Sequence, residues 1–70
     1  MAAIRLNEDY QRRVVAEKAD LDDRRAKLST FIDSATFSAL DSQEQERMRR
    51  QLVIMGEYSG VLGERINAFQ

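Results

Sequence analysis

The 70-residue chain has no Cys, no His, no Pro and no Trp, and only three Gly. Each absence removes a class of explanation. Without Cys there is no disulfide and no thiolate metal site. Without His the commonest metal ligand and the commonest general base are both gone. No metal and no cofactor is expected. Pro and Gly punctuate loops, so their scarcity argues for long uninterrupted helices. No purely apolar run is longer than that from Leu52 to Met55, far short of the roughly 20 residues that span a bilayer. Met1-Ala2-Ala3-Ile4-Arg5 lacks the apolar core of a secretory signal, so the expected location is the cytoplasm. Large excess charge is also missing. A net charge of −1 disfavours a duplex-DNA binder, which needs a broad positive footprint. A small anionic ligand needs only a few local cations.

What is present is charge and apolar surface, 33% and 43% of the residues. Chains this short hold at most one domain, here residues 1–70, and their cores are marginal. With disulfides and metals excluded, self-association and close helix packing are left to complete the core.

The apolar residues recur with helical spacing. Val14, Leu21, Leu28 and Ala35 repeat every seven residues, with Tyr10 and Phe31 on the adjoining row. This predicts a first helix from Asn7 to Ile32, with Asn7 as N-cap and Glu8 and Asp9 in the first turn. Asp33-Ser34-Ala35-Thr36 breaks it, because these side chains compete for backbone hydrogen bonds. Phe37 and Leu40 suit a short helical turn. Asp41 and Glu44 then form a D-x-x-E variant of the capping box at the start of a second long helix. There Met48, Leu52, Met55, Ser59, Leu62, Ile66 and Phe69 alternate steps of four and three, and only Ser59 is polar. The expected fold is all-α. It is an antiparallel helical hairpin, two long helices with a short helical turn between them, assembling into a homo-oligomer.

Two features exceed a plain hairpin. Val53, Ile54, Tyr58 and Val61 lie off the main row, so a second face of the second helix wants burial. Gly56, Gly60 and Gly63 fall on one line, and each costs about 1 kcal/mol of helix stability relative to Ala. Either this face is exposed and tolerant, or another helix or a flat ligand approaches it closely.

Enzyme chemistry finds little support. No strand precedes a Gly-rich phosphate loop, and any Ser, Thr or Lys nucleophile lacks an obvious base. Asp20 and Arg24 stand at i,i+4, a surface pair worth a few tenths of a kcal/mol. Basic residues cluster at Arg12-Arg13, around Arg24, Arg25 and Lys27, and around Arg47, Arg49 and Arg50. Most suit a charged helix exterior. Arg24 shares a row with Tyr10, Glu17 and Phe31, while Lys18 and Arg25 flank the seam on its other side. Cations so placed either snorkel or line a ligand pocket at a protomer boundary. Tyr10 either caps the core or stacks on a planar base. Ser29 and Thr30 either bond back to the preceding turn or hold a phosphate with Lys27. Arg65 pairs with Glu64 or the helix terminus, or reaches across an interface.

The ordered set of residues carries a resemblance. Tyr10-Gln11-Arg12-Arg13-Val14-Val15 precedes Glu17-Lys18 and Leu21, then Lys27-Leu28-x-x-Phe31-Ile32, Phe37 and Leu40. Gln51, Met55, Tyr58, Leu62 and Arg65-Ile66 come next, in the second helix. Over nearly its whole length the chain resembles the bacteriophage anti-CBASS cyclic-nucleotide sponges, small helical proteins that assemble as hexamers. They bind cyclic dinucleotides, and in some members cyclic trinucleotides, between protomers without cleaving them. Sequestration keeps the CBASS effector off. The resemblance implies Tyr10 on a base, Lys27 with Ser29 or Thr30 on the phosphates, with Arg24 or Arg25 as substitutes for Lys27, and Arg65 in a separate trinucleotide pocket. The implied partners are cyclic oligonucleotides and further copies of the chain, with no duplex nucleic acid and no membrane. The competing reading is a helical module that docks a host or virion protein through the surplus apolar face.

Overall fold

The computed structural model describes residues 2–69, with side chains described from Glu8 to Phe69. Three helices occur in order: α1 from Ala2 to Ile32, α2 from Ala35 to Ser38 and α3 from Ser42 to Asn67. The expected helical hairpin is present. Two long helices lie antiparallel, joined by a short one, in a rod of 56 × 15 × 14 Å. No strand occurs among the described residues.

The start of α1 differs from expectation. The helix begins at Ala2, so Asn7 lies inside it and is not its N-cap, and Glu8 and Asp9 are beyond the first turn. Ala2, Ala3, Arg5 and Leu6 are strong helix formers with no Gly or Pro to stop them. Propagation through them outweighs the capping preference of one Asn.

The connector obeys the sequence chemistry closely. Ser34 caps α2, its hydroxyl oxygen accepting from the Phe37 N–H at 3.2 Å. The same hydroxyl donates to the Phe31 carbonyl at 2.6 Å, tying the end of α1 to the start of α2. Ala35, expected to extend the apolar row of α1, instead opens α2 and is exposed, because the helix has already stopped. Asp41 caps α3 through the Gln43 N–H at 3.2 Å. The other half of the capping box is absent, since Glu44 accepts from Arg47 at 2.8 Å instead of turning back. Gln45 Nε2 lies 3.1 Å from the Phe37 carbonyl and 2.9 Å from that of Leu40. One amide thus ties the C-terminal end of α2 and the turn after it to the first turn of α3.

The core is thin. Val14, Phe37 and Leu62 are its buried apolar residues. The seven-residue row of α3 from Met48 to Phe69 is inward throughout, with none of its members exposed. The second apolar face is real and uncovered: Val53, Ile54, Tyr58 and Val61 are between 43% and 61% exposed. Ile54, Tyr58 and Val61 fall at i, i+4, i+7 spacing and form one continuous stripe.

Candidate ligand-binding site

Midway along the rod a polar cluster bridges the helices. Ser59, at 3% exposure, donates its hydroxyl to Asp22 Oδ1 at 2.6 Å. Lys18 Nζ reaches Asp22 Oδ2 at 2.8 Å, and Arg25 Nη1 reaches Oδ1 at 3.2 Å. The Lys18 ammonium first, then the Ser59 hydroxyl, hold the Asp22 carboxyl at about 2, against an ordinary 3.8; Arg25 helps and burial opposes. Two of the three glycines lie opposite these long side chains. A Cβ on Gly56 would stand 3.4 Å from Arg25 Nη2, and one on Gly63 would stand 3.4 Å from Lys18 Cε. Close approach does occur along the glycine line, but its occupants are the cations of α1. Gly60 has open space around it.

This cluster binds the two helices together and has little capacity left for a ligand. Its carboxylate already accepts three donors, and its two cations are committed to that carboxylate. Arg25 Nε is buried without a hydrogen-bond partner, yet its side chain is aimed at the seam. Within the single chain, Lys18 and Arg25 both turn to Asp22 at the seam. They zip the hairpin.

The remaining site residues predicted from sequence separate into two groups. Tyr10 and Arg65 come together at the open end of the hairpin. Arg65 Nη2 donates to the Tyr10 hydroxyl, and its Cζ lies 5.4 Å from the Tyr10 ring centroid. Phe69 meets the same ring edge-on at 6.2 Å. Tyr10 is nonetheless 51% exposed, so part of its surface stays available to a planar partner. Arg65 therefore neither pairs with Glu64 nor stands apart from Tyr10.

Lys27, Ser29 and Thr30 lie elsewhere. They are 17 or more positions along α1 from Tyr10, about 25 Å away at 1.5 Å per residue. Lys27 is exposed and pairs with Asp23 at 3.0 Å. Thr30 donates to the Ala26 carbonyl at 3.0 Å, the local bond expected of a helical Thr, and Ser29 is exposed. Arg24 points to solvent and pairs with Asp20 at 3.0 Å, as the i,i+4 spacing anticipates. Within one chain the Tyr10 group and the Lys27 group cannot touch the same small molecule.

Sequence reasoning passed over Asp22 and Phe69. Asp22 had a signal, since it stands four residues after Lys18 and three before Arg25, opposite the only polar residue in the α3 row. Phe69 had none beyond being the last member of that row.

Among the described residues no helix is long and apolar enough to cross a membrane. Neither a curated protein nor a solved structure gives a significant match to the chain. Residues 8–68, from the turn before Tyr10 to the turn after Arg65, match the family model described as Sequestin, and the chain belongs to the Sequestin family.

Proposed function

We propose that this protein is a non-enzymatic phage sponge. It binds and sequesters cyclic oligonucleotide second messengers, cyclic dinucleotides and trinucleotides, between protomers of a homohexamer in the host cytoplasm, and so blocks CBASS immunity. Membership of the Sequestin family across residues 8–68 carries this reading, because sequestration is binding without turnover. The chain's own chemistry agrees with it. A cyclic dinucleotide offers two flat bases and two negative charges. A symmetric interface offers two Tyr10 rings and two sets of cations, one from each subunit. Stacking and charge-assisted phosphate bonds supply the affinity.

The separation of Tyr10 from Lys27 supports sites shared between chains. A pocket that uses both residues draws Tyr10 from one protomer and Lys27, with Ser29 or Thr30, from another. Assembly is also what the surface asks for. A thin core and a stripe of half-exposed Ile54, Tyr58 and Val61 leave apolar area that a second copy can cover.

The same stripe favours the second reading, a helical module docking a host or virion protein. Calorimetry with a panel of cyclic di- and trinucleotides, paired with native mass spectrometry, separates the two. The sponge reading expects an oligomer and a ligand recovered intact after denaturation. A folded sample that binds no member of the panel sinks it. A monomer or dimer with no nucleotide affinity favours the docking module.

A further inference from the structure

We propose that α3 is a self-pairing surface: a second copy of the chain lies antiparallel along its exposed apolar stripe, with Arg50 of each copy against Glu64 of the other. This rests on the reading that the chain self-associates, and adds which face pairs and in which direction.

The stripe is apolar at its centre and oppositely charged at its ends. Ile54, Tyr58 and Val61 are between 43% and 55% exposed. They follow one another at four and then three residues, which makes them a continuous ridge on one side of the helix. Arg50 stands four residues before Ile54, and Glu64 three after Val61. Both are exposed, and neither joins an ion pair among the described residues. The cations of α1 are largely spent by contrast. Arg12, Lys18, Arg24, Arg25 and Lys27 each face a carboxylate between 2.6 and 3.2 Å away. The ridge of α3 thus ends in one uncompensated cation and one uncompensated carboxylate, 14 residues or about 21 Å apart.

Charge decides the occupant and its direction. A copy laid parallel brings Arg50 to Arg50 and Glu64 to Glu64, and is repelled at both ends. A copy laid antiparallel, about a two-fold axis near Glu57 and Tyr58, brings each Arg50 to a Glu64. It also sets each Ile54 against the second copy's Val61 and places the two Tyr58 rings near each other. One symmetry operation covers the ridge and pairs both ends, which is an isologous contact. An aromatic at the centre with charge at the rim matches the anatomy of stable interfaces. Arg65 follows Glu64 in sequence but does not compete for Arg50's partner, because its guanidinium is turned onto Tyr10. Glu57 lies at the rim of the axis, and its like-charge contact with its own copy is a cost of the arrangement. Nothing requires a foreign helix to match the end-to-end polarity of the ridge, whereas a second copy matches it by symmetry.

The test is native mass spectrometry and light scattering of the full chain over a concentration series, with circular dichroism to show that each variant stays helical. Ile54→Asp puts a carboxylate at the centre of the ridge, which the lone chain leaves in water. It is expected to keep its helicity and to lose at least half of the subunits of the wild-type assembly. Arg50→Glu and Glu64→Arg are each expected to weaken association about tenfold. The double variant Arg50→Glu/Glu64→Arg is expected to recover wild-type size, because it only exchanges the two ends. Glu57→Gln is expected to tighten association. Direction is read with cysteine variants, since the chain has no Cys of its own. Co-expressed Arg50→Cys and Glu64→Cys chains are expected to join each other through a short bis-maleimide, and neither to join itself. If the wild type associates but Ile54→Asp keeps its full size, or each cysteine variant joins only itself, the inference is overturned while the assembly reading stands. A double variant weaker than both single ones also overturns it. A wild type that stays monomeric at every concentration removes the assembly reading, and the inference with it.

Discussion

The two ends of the hairpin are built from the same parts. At the connector, Phe37 has a guanidinium over its ring, from Arg49 at 5.1 Å, and a second aromatic edge-on, Phe31 at 6.2 Å. At the open end, Tyr10 has Arg65 at 5.4 Å and Phe69 edge-on at 6.2 Å. Chemistry and geometry nearly coincide, but Phe37 is 2% exposed and Tyr10 51%. Phe37, on α2, is closed in by Phe31 of α1 and Arg49 of α3, whereas half of Tyr10 stays exposed. The lesson is that an aromatic ring under an arginine is not in itself a sign of a binding site. The same triad is core where chain covers it and open surface where chain does not.

Four substitutions sharpen that contrast. Phe37→Ala is expected to have the largest effect on the fold, a loss of about 3–5 kcal/mol in denaturant unfolding, since it empties a buried aromatic position. Tyr10→Ala is the matched change at the open end. It is expected to cost about 1 kcal/mol or less in unfolding, but about 1–3 kcal/mol in cyclic dinucleotide affinity for each base lost from its stack. Equal destabilisation by the two would dissolve the distinction between the ends. Gly60→Ala probes the surface between them. Open space surrounds Gly60, so the isolated hairpin is expected to gain up to about 1 kcal/mol. A fall in oligomer size by light scattering would show instead that a second copy packs against that position.

The smallest effect concerns pH at the central cluster. The Asp22 carboxyl is held at about 2 in the fold against an ordinary 3.8, so the folded state prefers it ionised. The stability this confers is fully present above about 4 and fades as pH falls toward about 2. Thermal melts across that window are expected to show wild type losing more stability than Asp22→Asn, which has no such carboxyl to protonate. Parallel melting curves for the two would remove Asp22 from the acid response.

Most of the fold could be read from spacing alone. The row from Met48 to Phe69 turned inward at every position, and the break at Asp33 to Thr36 became a connector because Ser34 caps the short helix after it. Asn7 misled because capping preference is local, while helix propagation depends on the residues before it. The candidate site residues were harder. Tyr10 and Arg65 were each identifiable as unusual, but their contact joins positions 55 residues apart, and only the antiparallel register brings them together. Lys18 and Arg25 looked like candidates for a ligand because the pattern marks them as cations beside an apolar seam. The pattern could not show that Asp22 claims both of them. Glycine spacing was informative, yet its meaning depended on which side chains lie opposite.

The central cluster also determines how the molecule can be used as a part. Arg25 against Gly56, Asp22 against Ser59 and Lys18 against Gly63 engage like three teeth of a rack. Sliding one helix along the other by a single turn would drive a guanidinium or an ammonium into a side chain and strand a carboxylate without its donors. The rod is therefore a gauge of constant length. It sets the offset between the Tyr10 end and the Lys27 region in every copy, and any assembly that joins those two regions must take its repeat distance from that gauge.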